Sequence, residues 1–262
     1  MNENKTALVT GASSGIGLAL ARRFAAGGFN LVLSAPEKSA LQEAADSISK
    51  DHPVSITTIA RDLTRENAAD DLYREVHDLG IRIDLLVNNA GIGQRGKFHE
   101  SPLEKDIAII RLNVEALVRL TKKFLPEMVQ RGSGRVLNVG SIAGFQPGPL
   151  LAIYHATKAF VVSFSEAIAT ELADTGVTVT CLCPGPVDTN FDVEADMENS
   201  RAFQSSLVME PDQVADAAYE ATLSGQRIII PGIANKALTF GRRFLPEEAQ
   251  AKANQKLYED KK

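Results

Sequence analysis

Apolar residues fall in short, nearly continuous runs, separated by longer stretches in which they recur at helical spacing. Thr6–Thr10, Asn30–Ser34, Val54–Ala60, Asp84–Asn88, Arg135–Gly140, Val177–Cys183 and Arg227–Ile230 read as strands. Several are apolar throughout, as in Leu31, Val32 and Leu33, rather than alternating. That pattern suits strands covered on both faces of a parallel sheet. The intervening segments are long enough for right-handed helical crossovers. The prediction is an α/β fold with a doubly wound, seven-stranded, mainly parallel sheet, helices on both faces, and ligands outside the carboxyl ends of the strands.

No Gly/Ser linker, low-complexity tract or internal repeat interrupts residues 1–262, so one domain is expected. The tail, about 235–262, mixes Leu238, Phe240, Phe244 and Leu245 with Lys236, Arg242 and Arg243 around Pro246. It reads as one or two short amphipathic helices that pack on this domain or a sister subunit, with attachment to a membrane surface as the other reading.

The first strand runs into Thr10-Gly11-Ala12-Ser13-Ser14-Gly15-Ile16-Gly17, and a helical pattern follows at Leu18. Gly11 can make the sharp turn, Gly15 can let backbone approach a pyrophosphate, and Gly17 can let the helix lie close on the sheet. The helix N-terminus then offers free N–H groups and a positive dipole to an anion. A glycine turn without a ligand is the plainer alternative, but the strand–loop–helix context favours a dinucleotide.

Asn138-Val139-Gly140-Ser141 ends the fifth strand, and Tyr154-His155-Ala156-Thr157-Lys158 opens a long helical pattern thirteen residues later. Tyr154 and Lys158, four apart, share a helix face. Carbonyl reduction needs a hydride on carbon and a proton on oxygen. A phenol serves as acid or base near neutrality only if its anion is stabilised, and Lys158, helped by the positive nicotinamide of an oxidised cofactor, is expected to lower the Tyr154 pKa. Ser141 would hold the substrate oxygen and stabilise charge developing there. His155 is not needed by this chemistry and is expected on another face of the helix.

The Gly-x3-Gly-x-Gly spacing, with Asn88-Asn89-Ala90-Gly91 after the fourth strand, Asp62 after the third and Pro184-Gly185 after the sixth, resembles the single-domain short-chain dehydrogenase/reductase family. The similarity extends to about Pro231 and is greatest to its broad bacterial oxidoreductase branch. It implies a Rossmann-type fold. It also implies that Gly11, Ser13, Ser14, Gly15, Ile16 and Gly17 receive the phosphates and that Asp62 and Leu63 contact the adenine. Asn89, Ala90, Gly91, Pro184, Gly185, Val187 and Thr189 would line the cofactor cleft, Thr189 holding the carboxamide, with Tyr154 and Lys158 against the nicotinamide ribose. Asn113, at the start of a helical run, matches the fourth member of an Asn113–Ser141–Tyr154–Lys158 tetrad and would support a proton relay through water. The family also implies a homodimer or homotetramer through the helices from Asn113 to Arg131 and from Ala152 to Ala173.

Cofactor choice is decided at the end of the second strand. Leu33-Ser34-Ala35-Pro36-Glu37-Lys38 carries neither the acid of NAD-preferring relatives nor the arginine of many NADP users. Ser34 and Lys38 could receive a 2′-phosphate, so NADP(H) is expected over NAD(H), with Glu37 opposing. Substrate contacts are expected from Gly144–Leu151 and from a lid at about 190–209, whose Phe191, Val193, Met197, Phe203, Leu207 and Met209 read equally as a wall over the substrate or as the ordinary buried face of a short helix.

Composition adds exclusions. The 28 Lys plus Arg against 33 Asp plus Glu leave a net charge of -5, which offers no footprint for nucleic acid. His52, His77, His99 and His155 have no paired ligand spacing, so no metal is expected. No run approaches the roughly 20 apolar residues of a membrane helix, and the polar start leaves no signal-peptide core. Cys181 and Cys183 read as buried thiols, and a cytoplasmic protein is expected. The expected function is NAD(P)-dependent hydride transfer between nicotinamide and an apolar carbonyl or alcohol substrate, with Tyr154 as general acid/base. A cofactor-sensing protein with little turnover is the alternative from another class. Its usual sign would be a broken tetrad, and here all four residues are present.

Overall fold

A computed structural model describes residues 5–198, 200–202 and 207–259. Of the expected lid, Phe203 lies outside the described residues, as do 260–262 of the tail. Among the described residues seven strands form one sheet: β1 (Thr6–Thr10), β2 (Asn30–Ala35), β3 (Ile56–Ala60), β4 (Leu85–Asn88), β5 (Gly134–Val139), β6 (Val177–Leu182) and β7 (Ile228–Ile229). Their order is β3-β2-β1-β4-β5-β6-β7, and every pairing is parallel. The chain reverses its direction of winding between β1 and β4. A ligand crevice opens beyond the carboxyl ends of the strands at that switch point.

Helices cover both faces. On one, α1 (Gly15–Ala26), α2 (Lys38–Asp51) and α8 (Pro211–Ser224) bury Leu20, Phe24, Leu41, Ile48 and Val214 against Val9, Leu33 and Val87. On the other, α3 (Ala68–Asp78), α5 (Leu117–Gln130) and α6 (Ala152–Glu171) bury Leu72, Leu120, Phe124 and Ile168 against Leu8, Leu86 and Val136. This two-sided cover is the physical reason the strand runs are apolar at successive positions. The third strand is shorter than its apolar run: Val54 turns back, its N–H bonding the His52 carbonyl at 2.9 Å, and packs on the core from outside the sheet.

Asn113 is not at the start of a helix. Helix α4 (Leu103–Ile110) continues through one π-helical turn, Arg111–Ala116, into α5, which places Asn113 mid-helix. A π-turn inserts an extra residue into the helical repeat and rotates the side chains that follow. Here it accompanies a reciprocal pairing, in which Asn113 Oδ1 accepts from Ile92 N at 3.0 Å while its Nδ2 donates to Ile92 O at 2.9 Å.

After β7 come α9 (Ile233–Gly241) and α10 (Glu247–Tyr258), with α7 (Phe191–Glu194) between β6 and α8. Helix α10 returns to the chain's own domain, where Asn254 Nδ2 donates to the Pro147 carbonyl at 2.7 Å.

Candidate active site

Gly11 takes φ +64° and Gly15 φ +52°, left-handed conformations that glycine adopts freely. The turn they make aims the first N–H groups of α1 into a cleft of about 620 Å³. Asn89 stabilises the loop from the next strand over, its Nδ2 donating to Thr10 O at 2.9 Å and Gly11 O at 3.2 Å. Thr10 Oγ1 in turn accepts from the backbone N–H groups of Asn89 and Ala90 at 3.0 and 3.1 Å. The loops after β1 and β4 are thus tied together at the switch point.

Gly11, Ser13, Ser14, Gly15, Ile16 and Gly17 all line this cleft. So do Ser34, Asp62, Leu63, Asn89, Ala90 and Gly91 along one side, and Pro184, Gly185, Val187 and Thr189 along the other. Asp62 accepts from Thr64 N at 3.0 Å, Thr64 Oγ1 at 2.6 Å and Arg65 Nε at 3.1 Å. Burial pushes its carboxyl pKa up, but these bonds outweigh that and hold it below the usual value. Lys38 behaves differently: it opens α2, is exposed, and is not among the residues lining the cleft.

The wall near Ser34 includes Glu37 and Arg61, the latter not singled out in the sequence. Arg61 Nη2 pairs with Glu75 at 2.8 Å, while its buried Nε has no partner. Ser34 Oγ is likewise buried without a partner. A cleft floored by close-approach glycines and edged by two orphaned polar atoms fits a phosphorylated dinucleotide.

Ser141 follows β5, Tyr154 sits in the first turn of α6, and Lys158 lies one turn on. All three line the same cleft. Ser141 Oγ accepts from Ala143 N at 3.1 Å and donates to the Pro184 carbonyl at 3.4 Å. Lys158 Nζ donates to the Val139 carbonyl at 2.9 Å and stands 5.7 Å from the centroid of the Tyr154 ring. Asn113 lies behind them and does not line the cleft; its Nδ2 donates to Thr157 Oγ1 at 3.1 Å.

The electrostatics differ from expectation. Burial pushes the Tyr154 phenol up to about 12, with only the Ser141 hydroxyl pulling it back. Burial also pushes the Lys158 ammonium down to about 8, against an upward pull from Cys181 and Cys183. Desolvation dominates both groups, since each would bear its charge away from water.

A buried polar chain missed by sequence reasoning fixes α6 on the sheet. Asn88 Nδ2 donates to Asn138 Oδ1 at 2.9 Å and to Thr121 Oγ1 at 3.0 Å, and Asn138 Nδ2 donates to Ser165 Oγ at 2.9 Å. The available signal was an asparagine in an otherwise apolar strand, which requires a partner once buried.

The substrate end is apolar. Leu151, Phe191, Met197, Leu207 and, from the tail, Leu238 and Leu257 line it. Phe191 lies 5.3 Å from Tyr154 between ring centroids. Val193 points elsewhere and is exposed, whereas Met209 packs against the core. Among the described residues no group of three or more His, Cys, Asp or Glu side chains could hold a metal ion, and no helix is long and apolar enough to cross a membrane.

A family model described as short chain dehydrogenase matches residues 5–200, and the chain belongs to that family. An uncharacterized oxidoreductase of Staphylococcus saprophyticus is 33% identical over 219 residues, covering 84% of this chain and 91% of the relative. The solved structure of a short-chain dehydrogenase from Sphingobium yanoikuyae in complex with NADPH superposes with a TM-score of 0.81 at 34% identity, covering 94% of this chain and 98% of that one. A bulky-bulky ketone specific alcohol dehydrogenase from Comamonas testosteroni matches with a TM-score of 0.77 at 31% identity over 92% of each chain. The protein is a short-chain oxidoreductase that works with a nicotinamide cofactor.

Proposed function

We propose that this protein is an NADP(H)-preferring carbonyl reductase or alcohol dehydrogenase for apolar substrates, with Tyr154 as the general acid/base. The observation that carries the reading is the convergence of Ser141, Tyr154 and Lys158 on the apolar end of a cleft floored by the Gly11–Gly17 loop. The nicotinamide cofactor supplies or accepts the hydride. Gly11 to Gly17 and the α1 N-terminus hold its phosphates, Asp62 and Leu63 its adenine, and Asn89, Ala90, Gly91, Pro184, Gly185, Val187 and Thr189 the remainder.

Ser141 Oγ donates to the substrate oxygen, fixing it beside the Tyr154 hydroxyl, which gives up its proton as that oxygen gains charge. Lys158 stabilises the resulting phenolate and bonds the ribose, and Asn113 supports the helix turn behind it. Of the segment expected as a lid at about 190–209, Phe191, Met197 and Leu207 line the cleft and serve as its cover. The ends of the segment are already tied, Met209 N donating to Pro186 O at 3.0 Å and Asp188 N to Met209 O at 2.9 Å. Following NADPH and NADH absorbance against ketones, aldehydes and ketosteroids tests the reading, and no turnover with any of them overturns it.

The NADP preference is assigned to Arg61 and Ser34 rather than to Lys38, because the first two face the cleft. Arg61→Ala is expected to weaken NADPH binding by about tenfold or more while leaving NADH nearly unchanged, since charge-assisted bonds of this kind are worth about 1.5–3 kcal/mol. Lys38→Ala should alter both little. Equal losses of the two cofactors on Arg61→Ala, measured by titration, would remove Arg61 from the phosphate site.

A pH profile checks the role of Lys158. Reduction needs Tyr154 protonated, which holds throughout neutrality for a phenol at about 12, and Lys158 charged, which fails above about 8. The kcat/KM for carbonyl reduction should therefore fall as pH rises through 8. A flat profile from pH 6 to 10 would show that the charge of Lys158 is not required.

A further inference from the structure

Helix α10 does more than pack. It lies against the substrate end through Asn254, and its last residue, Tyr258, lines the same cleft as Tyr154. The Tyr258 backbone carbonyl accepts from Arg95 Nη1 at 3.1 Å, and the Leu257 carbonyl accepts from Ala202 N at 3.1 Å. The phenol is 9% exposed and its hydroxyl is 2.8 Å from His155 Nε2.

The direction of that bond follows from the other side of the imidazole. His155 Nδ1 is 2.8 Å from the Gln146 carbonyl, which can only accept, so Nδ1 carries the hydrogen. Nε2 is then a lone pair, and Tyr258 must donate to it. The ring lies directly against the Gly148 backbone, in the space a side chain there would need, since an added Cβ would come within 2.1 Å of its Cδ2. Burial also pushes the His155 pKa down, which keeps the ring neutral and the lone pair available. His155 is the residue after the proposed proton donor. The edge-on contacts of its ring with Tyr258, 5.5 Å between centroids, and with Tyr154, 6.2 Å, make one aromatic row from the Tyr154 ring to the last residue of α10.

We propose that Tyr258 is a specificity-determining residue, the end wall of the substrate site, held in place by His155 as a positioning residue, and that it limits the apolar substituent a carbonyl substrate can carry. The inference rests on the carbonyl-reductase reading above. A rigid wall discriminates by size because each excess ring atom must displace packed side chains, and one methylene in an apolar pocket is worth about 10- to 200-fold in kcat/KM.

The experiment compares acetophenone with the larger 2-acetylnaphthalene as substrates of the full-length protein. Tyr258→Ala is expected to raise the ratio of kcat/KM for the larger over the smaller ketone by about tenfold or more, with NADPH affinity unaltered. Tyr258→Phe keeps the ring but loses the donor, and His155→Leu loses the acceptor. Each should raise the same ratio by a smaller factor, and the double variant should match the single ones, because both cut one bond. In wild-type protein the ¹⁵N shifts of His155 should report a neutral Nδ1–H tautomer, with the Nε2 signal moving on Tyr258→Phe. An unchanged size ratio in Tyr258→Ala, in protein whose turnover still depends on Tyr154, overturns the inference and spares the reading beneath it. Turnover that survives Tyr154→Phe overturns both; no turnover of either ketone overturns the inference, and the reading beneath it falls only if aldehydes and ketosteroids fail as well.

Discussion

Turnover of a carbonyl substrate should fall by about 10²- to 10⁴-fold when Tyr154 becomes phenylalanine, while NADPH binding changes little. The substitution removes one oxygen and its proton and nothing else. The ring keeps its place 5.3 Å from Phe191, and the fold does not depend on the hydroxyl. Ser141 and Lys158 remain, but neither replaces the lost group. Ser141 orients the substrate oxygen through a hydroxyl far too weakly acidic to give up its proton, and the Lys158 ammonium is held by the Val139 carbonyl at 2.9 Å. The loss should appear in both directions, since reduction needs the phenol and oxidation the phenolate. It should appear in kcat rather than only in KM, because the proton moves in the transition state. Steady-state rates with NADPH, alongside a cofactor titration of each protein, separate the two. Turnover within a few-fold of wild type would leave Tyr154 as a pocket wall and return the proton-donor role to be assigned.

The sheet was readable from sequence because its strands are covered on both sides, so Leu31-Val32-Leu33 and Leu85-Leu86-Val87 could not be mistaken for half-exposed strands. The glycine loop was readable because its function is imposed on the backbone: Gly11 and Gly15 do occupy the left-handed region. Side-chain contacts distant in sequence were not. His155 and Tyr258 are 103 positions apart, and nothing in the neighbours of either indicates the other. Arg61 precedes the recognisable Asp62, but whether an arginine at a strand end turns to solvent or to a cleft depends on the sheet's neighbours. Asn113 reads from sequence as the start of a helical run, because the apolar spacing becomes regular only after it. The actual helix begins ten residues earlier, but of α4 only Asp106 and Ile109 are buried while Leu103 and Ile110 are exposed, so no clear apolar stripe marks it, and the π-turn between hides the continuity. The upward shift of Tyr154 in the chain without cofactor is not legible from sequence for a related reason. Helical spacing puts Lys158 beside it, but spacing carries no information about how dry the site is, and desolvation prevails.

Gly17→Ala should weaken the binding of NADPH and NADH alike by about tenfold or more, an effect set by space rather than by backbone angle. A Cβ at this position would lie 2.0 Å from the Gly11 carbonyl oxygen, 2.8 Å from its carbon and 2.5 Å from Asn89 Nδ2. Two of these are backbone atoms of the loop itself, which cannot swing aside as a side chain would. The loop and the start of α1 must separate, and the Asn89 bonds to Thr10 O and Gly11 O lengthen with them. Overpacking of this kind costs about 1–3 kcal/mol, so the melting temperature should drop as well. The affinity loss has its own cause, because the N–H groups at the α1 N-terminus no longer converge on one phosphate position. Gly241→Ala is the control, since a Cβ there meets nothing within 4 Å. It should leave affinity unchanged and stability equal or slightly raised. A Gly17→Ala protein that melts earlier but binds both cofactors as wild type does would show that the close approach serves helix packing alone, and that the phosphates are held elsewhere.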